Sequence, residues 1–169
     1  MEVMHITPTF AVTAALVPGD FERIGPMGFR QIVSNLPDGE ERAQMSARQE
    51  AVQAWRQGLL FAHVPAAKHD LLSDPVVERM ANVLRNAKGP VLAHCKSGVR
   101  SAILWAAASA RSQPVDCVLA ALKQAGFDLE FMRDDLETQA GRKHWIGGTA
   151  PALDCGASVD VATHPAKAA

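Results

Sequence analysis

With 169 residues, 17 lysines and arginines against 18 aspartates and glutamates, and a formal net charge of −1, the chain has room for one packed domain and no charge surplus for nucleic acid or an acidic membrane. Its three cysteines, Cys95, Cys117 and Cys155, lack CxxC spacing, which argues against a disulfide framework and a structural zinc site. The N-terminus shows no secretory pattern and no segment is apolar for long enough to span a bilayer, so the expectation is a soluble, cytoplasmic protein with no nucleic-acid or membrane partner.

In chain order, Met4–Leu16 is rich in β-branched and apolar residues and reads as one or two short strands broken at Pro8. Pro18-Gly19-Asp20 opens a short helix over Phe21–Ile24, and Phe29–Ser34 alternates as a strand with Ile32 and Val33 inward, stopping at the turn formers Asn35-Leu36-Pro37-Asp38-Gly39. Glu40–Gln57 carries Met45, Ala51, Val52 and Trp55 on a helical period, which predicts a surface helix anchored in the core by Trp55. After Gly58, Leu59–Val64 reads as a short buried strand closed by Pro65, and Ala66–Ser73 as a loop. Asp74 is the expected N-cap of a helix that starts with Pro75 and presents Val76, Val77, Met80, Val83 and Leu84 up to Asn86.

Gly89-Pro90 then turns the chain into the apolar run Val91-Leu92-Ala93-His94. Cys95-Lys96-Ser97-Gly98-Val99-Arg100 follows it, and an alanine-rich helix runs from Ser101 to Arg111. Strand, loop and helix in that order make an anion site: backbone N–H groups of the Lys96, Ser97, Gly98 and Val99 turn and the first helical turn converge on one centre. That field favours a thiolate at Cys95, Gly98 lets the backbone curl, and Arg100 offers a planar fork for oxyanions. Ser101 is placed to cap the helix or to hydrogen-bond the sulfur. A buried structural cysteine at a strand end is the bland alternative.

Two more helices are expected, one from Pro114 with Val115, Val118, Leu119 and Leu122 on one side and ending at Gly126, the other capped by Asp128 and running through Phe131, Met132 and Leu136 to Gln139. From Gly141 the composition turns to Gly, Ala, Pro, Ser and Thr, so the expected division is a domain over 1–140 and a loosely ordered tail over 141–169. The element order gives one α/β domain with a mainly parallel central sheet, helices on both faces and the Cys95 loop at a strand's carboxyl end.

The run His94-Cys95-x-x-Gly98-x-Arg100-Ser101 resembles the signature loop of cysteine phosphatases and rhodaneses. Together with Gly28-Phe29-Arg30-Gln31-Ile32-Val33-Ser34-Asn35-Leu36-Pro37-Asp38-Gly39-Glu40-Glu41, Phe61-Ala62-His63-Val64-Pro65 and Gly89–Cys95, it resembles the beta-lactamase hydrolase-like protein, phosphatase-like domain family over about residues 4–125. The resemblance implies a dual-specificity phosphatase fold and hydrolysis through a phosphocysteine. One departure counters it. Ordinary phosphatases place the arginine six positions after the cysteine, whereas Arg100 stands five after Cys95, the spacing of single-domain rhodaneses.

Two enzymatic readings therefore stand. In the phosphatase reading Cys95 attacks phosphorus, Arg100 and the loop amides hold the oxygens, Ser101 helps the thiolate leave, and a general acid protonates the leaving oxygen. Similar phosphatases carry an aspartate for this in the loop before the preceding helix, which points to Asp70 over Asp74 or His69. The substrate would be a phosphorylated small molecule or protein. In the sulfurtransferase reading Cys95 takes sulfur from a sulfane-sulfur donor as a persulfide, Lys96 and Arg100 attract the anionic donor, and no carboxylic acid is needed. A non-catalytic anion- or persulfide-sensing module is the third reading. His94 is expected to buttress the loop, Asn35 and Asp38 to line the site if their strand neighbours the central one, and Cys155 to resolve an oxidised Cys95 only if the tail folds back. The remaining histidines show no paired ligand spacing, so neither a metal nor another cofactor is expected.

Overall fold

A computed structural model describes residues 1–142. Its sheet has five strands, β1 (Val3–Thr7), β2 (Phe10–Thr13), β3 (Gln31–Ser34), β4 (Leu60–His63) and β5 (Val91–His94), in the order β1-β2-β5-β3-β4. The turn at Pro8 and Thr9 folds β1 antiparallel onto β2, and every other pairing is parallel because a helical crossover separates the strands. β5 lies in the middle, which suits its apolar run Val91-Leu92-Ala93. His94 is level with Thr13 of β2 and with Ser34 of β3, and Ser34 with His63 of β4. The carboxyl ends of the four parallel strands thus form one row, and the loop opening at Cys95 rises from its centre.

Alternation along the strands divides the core. Val12, Val33, Val91 and Ala93 face one side, under α3 (Asp74–Asn86), α4 (Val99–Ala110), α5 (Val115–Gln124) and α6 (Arg133–Ala140). Ala11, Ile32 and Leu92 face the other, with Phe21 and Ile24 of α1 (Phe21–Ile24) and Ala54 of α2 (Ala47–Arg56). Central α4 is apolar nearly all round, and its Trp105 stacks on Phe10 of β2 at 5.7 Å between ring centres. The helix that carries Arg100 is therefore fixed on both sides. Among the described residues no helix is long and apolar enough to cross a membrane.

Several local expectations need correction. The second helix begins at Ala47 rather than Glu40, because Ser46 and Gln49 form a reciprocal capping box, with Gln49 Oε1 accepting from the Ser46 N–H at 2.8 Å. The helix packs with Glu50 and Ala54 inward and leaves Trp55 79% exposed, not a core anchor. β4 is an edge strand with Leu60 exposed, not a buried one. Ser73, not Asp74, is the N-cap of α3, and the Asp74 carboxylate instead pairs with Arg111 at 2.7 Å. The last helix is preceded by a separate 3-10 turn, Glu130–Met132, that exposes Phe131. Cys117 is disulfide-bonded, against the expectation of thiols outside any disulfide framework. The expected tail beyond residue 142, with Cys155, lies outside the described residues.

Candidate active site

The site is built from the β5–α4 connection. Gly98 is the N-cap residue of α4 and sits at φ +89°, in the left-handed region that a side chain resists. A Cβ there would also meet Met4 Cε at 3.0 Å and the Thr13 carbonyl oxygen at 3.4 Å. The curl turns the Gly98 N–H onto Cys95 Sγ, to which it donates at 3.2 Å. Cys95 is buried, and Val99 and Arg100 form the first turn of α4. Ser101 is also within the helix, so it is not the cap. Its hydroxyl is fully buried with no hydrogen-bond partner.

Arg100 is nearly buried and its fork is held from two sides. Nη1 donates to Glu40 Oε2 and to the Ala66 carbonyl, both at 2.9 Å, while Nη2 donates to Glu40 Oε1. The Glu40 hydrogen bond raises the Arg100 pKa above its ordinary value, with a smaller contribution from the nearby Cys95 sulfur. The same hydrogen bond holds the Glu40 carboxyl below its ordinary range. Lys96, on the exposed side of the loop, is paired with Glu41, whose hydrogen bond raises the lysine's pKa. Ser97 is exposed on the same rim.

Ala66 begins the β4–α3 loop that also holds Asp70. Asp70 is half-buried in a tight turn, its N–H donating to the Ala67 carbonyl at 3.2 Å, and its Oδ1 is buried without a partner. The loop that supplies a carbonyl to Arg100 therefore also carries an unsatisfied carboxylate oxygen. β3 does neighbour β5, as the expectation for Asn35 and Asp38 required. Asn35 is fully buried, its N–H donating to the His94 carbonyl at 2.8 Å and its side-chain amide to the Val64 carbonyl at 2.9 Å. Asp38 turns away to accept the Ala47 N–H at 2.7 Å, steadying the start of α2.

His94 faces away from solvent entirely, with Nε2 3.3 Å from Oε2 of Glu50. Sequence reasoning did not single out Glu40, Glu41 or Glu50. The first two follow the Pro37-Asp38-Gly39 turn at the carboxyl end of a strand beside β5, where an acidic pair can reach the cations of the loop. For Glu50 the signal was the spacing of Ala47, Glu50 and Ala54, small residues at helical intervals around one carboxylate.

The family described as beta-lactamase hydrolase-like protein, phosphatase-like domain, matches residues 2–112. A beta-lactamase hydrolase-like protein of Xylella fastidiosa (strain 9a5c) is 30% identical over 150 residues, covering 88% of this chain and 35% of that protein. The chain spans about a quarter to a third of the length of the curated relatives it matches. Among solved structures, a candidate phosphatase of Neisseria meningitidis Z2491 is 29% identical with a TM-score of 0.71, covering 82% of this chain and 99% of the other. Tk-PTP in its active form, 16% identical, covers 85% and 97% with a TM-score of 0.58 and shares the fold.

Proposed function

Because the chain belongs to the beta-lactamase hydrolase-like protein, phosphatase-like domain family and has the cysteine phosphatase fold, we propose that it hydrolyses phosphomonoesters through a phosphocysteine on Cys95. The observation that carries this is the Gly98 N–H aimed at Cys95 Sγ at 3.2 Å, in a loop closed by an arginine anchored at two points. Sγ attacks phosphorus as the ester P–O bond breaks, and Arg100 with the loop amides holds the charge on the remaining oxygens. Asp70 gives its proton to the leaving oxygen. Water then attacks the phosphocysteine and gives its proton to the Asp70 carboxylate left by the first step, the S–P bond breaks, and the Ser101 hydroxyl stabilises the departing thiolate. Support for Asp70 is its unpaired buried Oδ1 in the Arg100-binding loop; support for Ser101 is its unpaired buried hydroxyl.

The short spacing from Cys95 to Arg100 favours a second reading, transfer of sulfane sulfur from an anionic donor through a Cys95 persulfide. The deciding assay measures phosphate release from an aryl phosphate beside thiocyanate formation from thiosulfate and cyanide. Cys95→Ser, expected to fold and to abolish turnover, is the blank. Phosphate release that falls about a hundredfold in Asp70→Asn is the expected result. Thiocyanate alone, indifferent to Asp70, assigns sulfur transfer instead. Anion binding with neither product leaves a sensing module.

A further inference from the structure

Two arginines at opposite ends of α4 hold the loop that carries Asp70. Arg100, in the first turn, donates to the Ala66 carbonyl at 2.9 Å, and Arg111, which caps the last turn, works through Gln139 of α6. Arg111 is 4% exposed and Gln139 3%. The Arg111 guanidinium donates to Gln139 Oε1 from Nε at 3.0 Å and from Nη2 at 2.7 Å, and Nη2 also donates to Asp74 Oδ1 at 2.7 Å. A guanidinium offers no acceptor, so it fixes which way the Gln139 amide faces. Nε2 is left pointing at the Leu72 carbonyl, to which it donates at 2.9 Å. Between Ala66 and Leu72 the chain makes two linked turns that meet at Asp70. Its N–H donates to the Ala67 carbonyl at 3.2 Å, and its carbonyl accepts from the Ser73 N–H at 2.9 Å.

We propose that Gln139 is a positioning residue for Asp70, holding the Leu72 end of the acid loop while Arg100 holds the Ala66 end. The inference rests on the phosphatase reading above and deepens it. A proton donor contributes only from within hydrogen-bond reach of the leaving oxygen. Pinned at Ala66 alone, the loop lets the Asp70 carboxyl drift out of that reach. Pinned at both ends, it is registered against α4, the same helix whose first turn sets Arg100 beside the Cys95 loop. Leu71 and Leu72 pack on the core beneath, so the Gln139 bond gives direction to a loop already seated by burial. Arg111 is buried and charged, and its need for partners keeps Gln139 in place.

Comparison of kcat/KM for two esters tests this, because that constant reports only the steps through phosphocysteine formation. Phenyl phosphate needs a proton on its leaving oxygen, whereas 2,4-dinitrophenyl phosphate, which releases a stable phenolate, does not. Gln139→Glu keeps the acceptors for Arg111 and removes the donor to Leu72. It is expected to slow phenyl phosphate about tenfold, to leave the dinitrophenyl ester at the wild-type rate, and to add nothing in an Asp70→Asn background. Gln139→Met, which is uncharged, is expected to show the same selectivity. Equal losses on both esters, no loss on either, or a full further loss on top of Asp70→Asn overturns the proposal. Trypsin cleavage after Lys68, exposed in the same loop, reads the anchor on the folded chain without a substrate. It is expected to quicken about tenfold in Gln139→Glu, and an unchanged rate overturns the anchor. If the wild-type chain releases no phosphate from either ester while cleavage quickens in the variant, the phosphatase reading fails and the anchoring of the loop by Gln139 stands.

Discussion

Arg100 and His94 each face a glutamate, one at the rim of the Cys95 loop and one behind it, and the two pairs live in different physical settings. At the rim, Glu40 and Glu41 keep 27% and 43% of their side chains in water; Lys96 can exchange Glu41 for an incoming anion, while Arg100 keeps Glu40 as an anchor. Behind the loop, Glu50 is 4% exposed and His94 is sealed. Water screens the rim pairs and lets the outermost one be remade at each binding event; the rear pair must be satisfied within the fold. The same residue chemistry thus acts as adaptable anion contact on one side and as fixed support on the other.

Arg100→Lys breaks the comparison most severely on the rim side. Lysine keeps the charge but has no fork, so it cannot hold Glu40, the Ala66 carbonyl and a substrate oxyanion together. Turnover on whichever substrate the assay identifies is expected to fall about a hundredfold, while the melting temperature changes little. A lysine variant with wild-type kcat/KM would show that charge alone suffices at this position and that the two anchors are incidental.

Glu40→Gln separates anchoring from charge and has a smaller effect, about tenfold in kcat/KM, because the Ala66 carbonyl still holds Nη1. It also has a pH signature. The folded-state pKa of Glu40 is lowered from 4.5 by the Arg100 hydrogen bond, so its stabilisation is fully present above 4.5 and is lost as pH falls through the lowered value. The melting-temperature gap between wild type and Glu40→Gln is therefore expected to be constant above pH 4.5 and to close below it. A gap that closes in the neutral range would mean that another group controls the anchor.

How far each side could be read in advance follows from the range of its contacts. The strand, loop and helix from Val91 to Ala110 were legible because local pattern carries them: an apolar run, one glycine at a left-handed position, and an alanine-rich helix. The parallel sheet followed from the alternation of strand and helix. The glutamates were not legible as partners, because Arg100 finds Glu40 across 60 residues and Lys96 finds Glu41 across 55, and only the placement of β3 beside β5 brings them together. Glu50 was hidden because the apolar residues of its helix do not mark the face that packs on the sheet. Met45, Ala51, Val52 and Trp55 suggest one inward face, whereas the folded helix turns Glu50 and Ala54 inward and leaves Trp55 exposed.

Glu41→Gln gives the smallest effect and the sharpest contrast with the rear pair. Lys96 is 63% exposed and Glu41 43%, so their pairing competes with water and salt and holds two long side chains at an entropic cost. Neutralising Glu41 frees the Lys96 ammonium to meet an anion, and kcat/KM is expected to rise, by no more than about twofold, with the gain vanishing as salt is added. The rear pair has no such escape, since screening ions do not reach a sealed carboxylate. Salt titration of the two variants side by side reads the difference directly: the Glu41→Gln effect is erased at high ionic strength, whereas the loss of melting temperature expected of Glu50→Gln persists. Equal salt sensitivity would mean that both pairs act through solvent and that the rear site is not dry in solution.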